Sequence, residues 1–519
     1  MSRATTFVGR VFTADPKQPW AQSITMQDGR ITAVDSPDGE IIEVPGLICP
    51  AFHDAHIHLL EGALFDLWVN LHDVPADEYV PVIAAAAANL PTDAWVRGGG
   101  WSMAAFPGGN PDGRILDAVT GGRPAYLTAR DGHSAWVNSI ALRRAGITAT
   151  TPDPPGGRIG RDRRGRLTGV LHETAMRAVR EQLPEITGAE WAAALDLGQR
   201  YLHSLGIGGW QDARLSTPML QAYVDAEKAG VLRARVTAAM HWDPAYGVEQ
   251  IDGLVAAREL AGDCLVQASM VKIFVDGVVE NQTAALHEPY WGSQSHGAPL
   301  YDPEHLNAAV RTCVEHGFSL HVHSIGDAAT TAALDAFEAS RRPGLRHQIC
   351  HLQVVSPADV PRFAELDVIA NVQALWACRD EQNVTLCAPA LGDSRFEAQY
   401  PFGDLKRAGT RMAFGSDWRV STPNPLPQIE VAMTRRPPGD TTTAALGPEQ
   451  GLDLSTCLSG FTREAAYAAG IDHHTGMLRV GRDADVVLLD TDPFAVDPAE
   501  LGAVRVVATY VRGELMYCR

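Results

Sequence analysis

The chain has 519 residues, 45% of them hydrophobic and 20% charged, which fits one large barrel with accessory parts better than one small core. Its net charge of −19 argues against nucleic acid or an anionic membrane as a partner, so we expect a small-molecule substrate. A homodimer is possible because large soluble enzymes often form two-fold pairs. No signal peptide is visible near the start, and the eight cysteines contain no C-x-x-C pair. These features predict a cytoplasmic protein.

Both ends of the chain show the alternating pattern of short β-strands. Asp28-Gly29 separates two such runs, residues 23–27 and 30–34, and is typical of a tight hairpin. Residues 485–518 have the same character. Neither end can bury a strand face alone, which predicts one small β-sandwich built from both termini. Its expected boundaries are residues 1–48 and 475–519.

Between the two ends, eight strand-like segments alternate with helical patterns. They are residues 47–58, 207–212, 235–241, 270–276, 319–323, 347–353, 368–373 and 411–417. The alternation predicts an α/β fold with a (β/α)8 TIM barrel over residues 49–70 and 196–474, whose chemistry lies at the C-terminal strand ends. Residues 71–195 are too long for one crossover, so we expect an insertion subdomain that caps the barrel mouth.

Histidines and one carboxylate stand at the ends of several predicted strands. His56 and His58 are two residues apart, so their imidazoles project from the same face of an extended strand. Later strands end in His323, His351 and Asp417. Because a barrel brings strand ends to one mouth, this set predicts a site for a divalent metal ion. The other histidines of these segments are expected to have supporting roles: His53, His321 and His347.

Lys272 lies within an apolar strand, where an unpaired charge is unfavourable. One interpretation is an ion pair with a neighbouring carboxylate. The other is carboxylation by CO2, which would make the side chain an anionic bridge between two metal ions. The residues alone leave both interpretations open.

Several motifs together resemble the amidohydrolase superfamily, and within it the amidohydrolase-3 group that includes YtcJ-like proteins and N-substituted formamide deformylases. They are residues 50–59 (PAFHDAHIHL), 169–175 (GVLHETA), 271–277 (VKIFVDG), 283–286 (TAAL), 321–327 (HVHSIGD), 414–418 (FGSDW) and 481–488 (GRDADVVL). The resemblance covers nearly the whole chain. It is specific for the family and poorly specific for a substrate.

The resemblance implies a metal pair. His56 and His58, with Asp417 beside them, would hold the more buried ion. His323 and His351 would hold the more exposed one. A carboxylated Lys272 would bridge the two, and zinc is the expected metal because imidazole and carboxylate ligands suit it.

The implied reaction is hydrolysis of a non-peptide C–N bond in an amide, an N-substituted formamide or a cyclic amide. A metal-activated hydroxide would attack the carbonyl carbon, and Asp417 would act as general base and then as general acid. A one-metal deaminase-type hydrolase, in which Lys272 is merely ion-paired, is the alternative within catalysis. A non-catalytic barrel would be expected to have lost ligands that this chain keeps.

Candidate substrate contacts come largely from the insertion and from strand ends. They are Trp101, His133, Glu173, Gln373 and Trp418, together with Asp131. Two positions at the expected barrel mouth depart from the family pattern. Many relatives carry Glu where this chain has Cys350, and Gly-Ser-Leu-Gly-Ser-Arg where it has residues 277–282, including Glu280 and Asn281. Because of these departures, the substrate of a relative cannot be assigned to this chain by similarity.

Overall fold

Eight parallel strands form a barrel at the centre of the computed structural model, which describes residues 3–72, 74–262 and 264–519. Consecutive strands pair in chain order, and the Asp417 amide donates to the His56 carbonyl oxygen at 2.7 Å between the eighth and the first. The strands are Phe52–Ile57, Ile207–Leu215, Arg235–His241, Val266–Phe274, Ser319–Ser324, Gln348–His351, Ile369–Val372 and Met412–Phe414. Each overlaps a predicted segment, so the predicted α/β barrel is confirmed.

Helices alternate with the barrel strands and share one apolar core with them. The longest begins in a capping box, where Thr187 Oγ1 accepts from the Glu190 amide at 3.2 Å and the Glu190 carboxylate accepts from the Thr187 amide at 2.9 Å. The helices of the barrel region are Leu59–Leu64, Gly188–Ser204, Thr217–Lys228, Ile251–Ala261, Pro303–Glu315, Asp327–Ala339, Val360–Glu365, Ala388–Leu391, Asp393–Glu397, Phe402–Arg407, Pro425–Thr434, Leu454–Ser459 and Ala465–Ala468. Among the described residues, no helix is both long and apolar enough to cross a membrane.

A second sheet of seven strands combines the two chain ends. Its strands are Thr5–Phe12, Trp20–Gln27, Arg30–Val34, Glu40–Pro50, Val486–Leu489, Val506–Val511 and Glu514–Cys518. Two backbone hydrogen bonds join parts of the sheet that are distant in strand order. The Ile31 amide donates to the Arg482 carbonyl oxygen and the Ala484 amide donates to the Gly29 carbonyl oxygen, each at 2.9 Å. The sheet therefore folds over one apolar core of its own, as the predicted sandwich requires.

The segment between the first and second barrel strands forms a third sheet, of six strands. Its strands are Val69–Asn70, Val96–Trp101, Ala125–Ala129, Ser134–Val137, Gly157–Arg161 and Leu167–Glu173. Its helices are Tyr79–Ala88, Gly113–Val119, Ser139–Arg144 and Arg177–Arg180. Two apolar clusters made of these elements give the segment cores separate from that of the barrel.

Candidate metal centre

A cavity of about 1760 Å³ opens at the C-terminal ends of the barrel strands, and residues of the insertion form part of its wall. All six predicted metal ligands line this cavity. They are His56, His58, Lys272, His323, His351 and Asp417. The cavity lies where a barrel of this type carries its chemistry.

His56, His58 and Asp417 form the most compact group of potential ligands. Oδ1 of Asp417 lies 3.2 Å from Nε2 of His58 and 3.7 Å from Nε2 of His56. Burial by itself raises the pKa of Asp417, but His58, Lys272 and His323 outweigh it and lower the pKa below its usual value. Each of the three side chains offers one ligand atom, and these atoms lie within 4.8 Å of one another. This spacing suits a single cation.

A buried aspartate organises the backbone around this group. Oδ1 of Asp54 accepts from the amides of His56 and Ser416, each at 3.0 Å, and so joins the first strand to the eighth. Gly415 permits the close approach of the two strands, because a Cβ there would lie 2.4 Å from the His56 nitrogen. The ligands of the compact group are therefore held together by the fold itself.

His323 and His351 form the second group, with ring centroids 4.6 Å apart. Nδ1 of His351 lies 3.8 Å from Oδ2 of Asp417, which places this group beside the first. Nε2 of His323 donates to the Gly277 carbonyl oxygen at 3.1 Å, and the His351 amide donates to Oε1 of Gln373 at 3.0 Å. Both histidines are nearly fully buried.

Lys272 is fully buried, and its Nζ has no hydrogen-bond partner among the described residues. Burial lowers the pKa of its amine, which favours the neutral form that can react with CO2. Within the described part of the chain, Asp417 Oδ1 and His351 Nδ1 are also buried without a partner. Buried polar atoms left unpaired are unfavourable, and a bound cation would satisfy them. The donor set therefore fits a metal centre.

His321 and Cys350 lie directly behind His56. Nε2 of His321 is 2.9 Å from Nδ1 of His56 and 3.1 Å from Sγ of Cys350. Both side chains are fully buried. His321 thus contacts the ring nitrogen of His56 that faces away from Asp417, in keeping with the supporting role expected for it. Cys350 extends this contact with its thiol.

His133 and Glu173 link the insertion to the metal centre. Nδ1 of His133 lies 2.8 Å from Oε2 of Glu173, and the His133 ring lies 5.3 Å from that of His323. Burial lowers the pKa of His133, but the neighbouring Glu173 outweighs it and raises the pKa to about 9. Both residues line the cavity, as do Asp131 and Trp418. These positions are compatible with the predicted substrate contacts.

Two other predicted contacts require correction. Trp101 is fully buried in the core of the insertion, where Nε1 donates to the Leu127 carbonyl oxygen at 2.9 Å. Gln373 is 1% exposed, and its amide group is bonded to the His351 backbone and to Asn371. Neither residue belongs to the described cavity wall. Trp101 therefore packs the insertion, and Gln373 positions His351.

Asp276 is a functional residue that the sequence did not single out. Its carboxylate accepts from the amides of Ile325 at 3.0 Å, Gly326 at 2.8 Å and Ala285 at 2.9 Å. These bonds fix the backbone immediately after His323. The available signal was the position of Asp276 at the end of the fourth predicted strand, within the same motif as Lys272.

Comparisons with known proteins agree with this arrangement. The family model described as "Amidohydrolase family" matches residues 46–517. The chain is 31% identical to Protein LONG AFTER FAR-RED 3 of Arabidopsis thaliana, over 98% of this chain and 90% of that protein. It is 28% identical to putative amidohydrolase YtcJ of Bacillus subtilis, over 98% of each chain. It is 27% identical to the N-substituted formamide deformylase of Arthrobacter pascens, over 98% of this chain and 97% of that enzyme.

Solved structures show the same fold. An uncharacterized metal-dependent hydrolase of Pyrococcus horikoshii superposes with a TM-score of 0.75 at 21% identity, covering 96% of this chain and 99% of that one. One from Pyrococcus furiosus superposes with a TM-score of 0.71 at 23% identity, covering 96% of this chain and 100% of that one. Together with the family match, the barrel and its converging ligands show that the chain belongs to the amidohydrolase family of hydrolases.

Proposed function

We propose that the chain is a metal-dependent hydrolase that cleaves a non-peptide C–N bond in an amide, an N-substituted formamide or a cyclic amide. The observation that carries this proposal is the convergence of four imidazoles, a carboxylate and a buried lysine on one cavity. The similarity to an N-substituted formamide deformylase supports the choice of bond. The size of the cavity accommodates a small organic substrate.

In this proposal the two groups of ligands hold two divalent cations. His56, His58 and Asp417 bind one, and His323 and His351 bind the other. Carboxylated Lys272 would contribute a ligand to both, which would give a role to its buried Nζ, unpartnered among the described residues. Zinc suits these nitrogen and oxygen ligands. When bound, such a cation acidifies water and polarises a carbonyl oxygen.

Asp417 moves the proton. Its Oδ1 lacks a hydrogen bond within the described structure and faces the cavity, so it is available to accept a proton from the attacking water. The same oxygen returns the proton to the leaving nitrogen as the C–N bond breaks, releasing an amine and a carboxylic acid. His133, Glu173 and Trp418 border the same space and orient the substrate.

A one-metal deaminase-type hydrolase is the second candidate. The observation in its favour is that Nε2 of His323 already donates to the Gly277 carbonyl oxygen, whereas the group around Asp417 is compact by itself. In that case Lys272 keeps its amine and is a structural residue. Asp417 again moves the proton, and the leaving group is ammonia.

The test is metal content per chain, measured by plasma mass spectrometry on protein purified without chelator and with bicarbonate. The variants are Lys272→Ala and, as a matched control, Lys228→Ala at an exposed lysine. We expect about two metals in the wild type and control, and about one in Lys272→Ala. About one metal in all three proteins would favour the one-metal candidate.

Activity is then measured on a panel of N-substituted formamides, linear amides and cyclic amides. Hydrolysis of at least one class by the metal-loaded wild type is expected. A protein that carries its full complement of metal and hydrolyses none of these compounds would contradict the proposed C–N bond.

A further inference from the structure

One wall of the cavity is built almost entirely from hydrogen-bond acceptors. We call it the acceptor wall, and it consists of Asp131, Glu280, Asp380 and Asn383, all of which line the cavity. Asp131 comes from the insertion, Glu280 follows the fourth barrel strand, and Asp380 and Asn383 follow the seventh. None of these four residues is a proposed metal ligand.

The acceptor wall lies beside the part of the site formed by His323 and His351. Asp131 accepts at 2.9 Å from the amide of His133, whose ring lies 5.3 Å from that of His323. Glu280 follows closely after Gly277, whose carbonyl oxygen accepts from His323 at 3.1 Å. A ligand bound at the metal centre through His323 and His351 can therefore extend along this wall.

Two atoms of the wall lack donors. Asn383 is 5% exposed, and its Nδ2 donates to the Cys378 carbonyl oxygen at 2.8 Å, which fixes the orientation of the amide. Its Oδ1 is consequently left without a donor among the described residues, and so is Oδ2 of Asp131. A buried acceptor without a donor is unfavourable by about 1–3 kcal/mol, so both atoms favour a ligand that donates hydrogen bonds.

The carboxylates of the wall outnumber the positive charges beside it. His133, whose pKa is raised to about 9, acts on Asp131 but is already paired with Glu173 at 2.8 Å, and Arg130 acts on Asp380. Burial, reinforced by Glu280, raises the pKa of Asp131 and of Asp380 to about 6 each. The nearby Arg130 opposes this rise at Asp380, and its buried Nε has no hydrogen-bond partner among the described residues. Glu280 receives a hydrogen bond from the neutral Nε2 of Gln382 at 2.9 Å. A ligand with its own positive charge would relieve the repulsion among the carboxylates.

We propose that the acceptor wall binds a protonated amine carried by the substrate, so that the substrate is an amide or formamide with an alkylammonium group. This inference rests on the proposed function and narrows it to a class of substrate. An ammonium group supplies three N–H donors and one positive charge, which matches the acceptors that the wall leaves open. A divalent metal ion fits less well, because among the described residues the carboxylates of the wall form no group of three ligand atoms within 4.8 Å of one another.

The position of Glu280 supports this assignment. It places a carboxylate at the mouth of the cavity. The structure puts that carboxylate on the cavity wall and next to Asp131 and Asp380. The negative charge is therefore a property of this chain that changes what its cavity accepts.

The test compares two probes of equal size, n-butylammonium and n-butanol, by calorimetric titration of the metal-loaded protein at neutral pH. Glu280→Gln and Asp380→Asn remove one charge each with little change in shape, and Glu304→Gln at an exposed position is the matched control. We expect n-butylammonium to bind at least tenfold more tightly than n-butanol, and each wall variant to weaken it by roughly tenfold. The control and the binding of n-butanol should be unchanged.

Equal affinity for the two probes, or an affinity for n-butylammonium that survives both wall variants, would overturn the inference. Competition by Ca²⁺ that depends on Glu280 would assign the wall to a metal ion and overturn it as well. Thermal melting confirms that the variants are folded. If n-butylammonium binds in a Glu280-dependent manner while no amide is hydrolysed, the binding site stands and the proposed C–N hydrolysis fails.

Discussion

Removing the carboxylate of Asp276 should loosen the backbone beside His323, one of the candidate metal ligands. The carboxylate is fully buried and accepts from the amides of Ile325, Gly326 and Ala285 at 2.8–3.0 Å. Burial raises the pKa of Asp276 to about 7, so the carboxyl is mostly ionised only above that pH, where a hydrogen bond to a charged group contributes about 1.5–3 kcal/mol. Because the three bonds share one acceptor and are not additive, we expect Asp276→Ala to lower the free energy of local opening by roughly 3–5 kcal/mol.

Hydrogen exchange followed by mass spectrometry measures this effect directly. Peptides that contain Ala285, Ile325 and Gly326 should exchange roughly two to four orders of magnitude faster in Asp276→Ala. The matched control is Asp302→Ala, which removes an exposed carboxylate that accepts from the His305 amide at 2.9 Å, where water can replace it. Unchanged protection in Asp276→Ala of both the peptide with Ala285 and the peptide with Ile325 and Gly326 would refute the reasoning.

Three further predictions follow from the site and the fold. Asp417→Asn should abolish hydrolysis while metal content is largely retained, because the amide oxygen still binds a cation but cannot accept a proton; retained turnover would exclude Asp417 as the general base. Trp101→Phe should lower the melting temperature, through loss of the bond to Leu127, and leave KM unchanged; a changed KM would restore Trp101 as a substrate contact. Burial lowers the pKa of His347 to about 4, so between pH 6.5 and pH 4 the unfolded chain binds a proton at this histidine more readily than the folded chain does. The free energy of unfolding should therefore fall by up to roughly 3 kcal/mol as the pH is lowered over this range. His347→Gln should flatten this dependence in urea unfolding, and an identical slope would contradict it.

The barrel and the convergence of polar side chains at its mouth could be predicted because both depend on short-range patterns. Continuous apolar runs mark strands covered on both faces, and the polar residues that end them, such as His56 and His323, must reach the same edge. The grouping of these ligands into a metal pair with Lys272 came from the family resemblance and stays a prediction. It needs a modification of Lys272 that no pattern of residues specifies.

The errors concern residues whose partners are distant in sequence. Trp101 has the same local signature whether it faces a cavity or a core, and only the packing against Trp136 decides between them. Gln373 stands at a strand end, as a substrate contact would, but its amide is engaged by the His351 backbone. Asp276 was overlooked because the three amides that define its role come from two separate loops.

Two buried carboxylates that bind no proposed metal explain how the ligands are arranged before any ion arrives. Asp54 joins the first strand to the eighth through the amides of His56 and Ser416. Asp276 joins the fourth strand to the turn that follows His323. Each replaces water around backbone amides with a fixed acceptor, so the histidines on either side lose conformational freedom when the chain folds and not when it binds metal. A cation entering this centre would therefore meet ligands already in place, and its binding free energy would not be spent on ordering the strand ends.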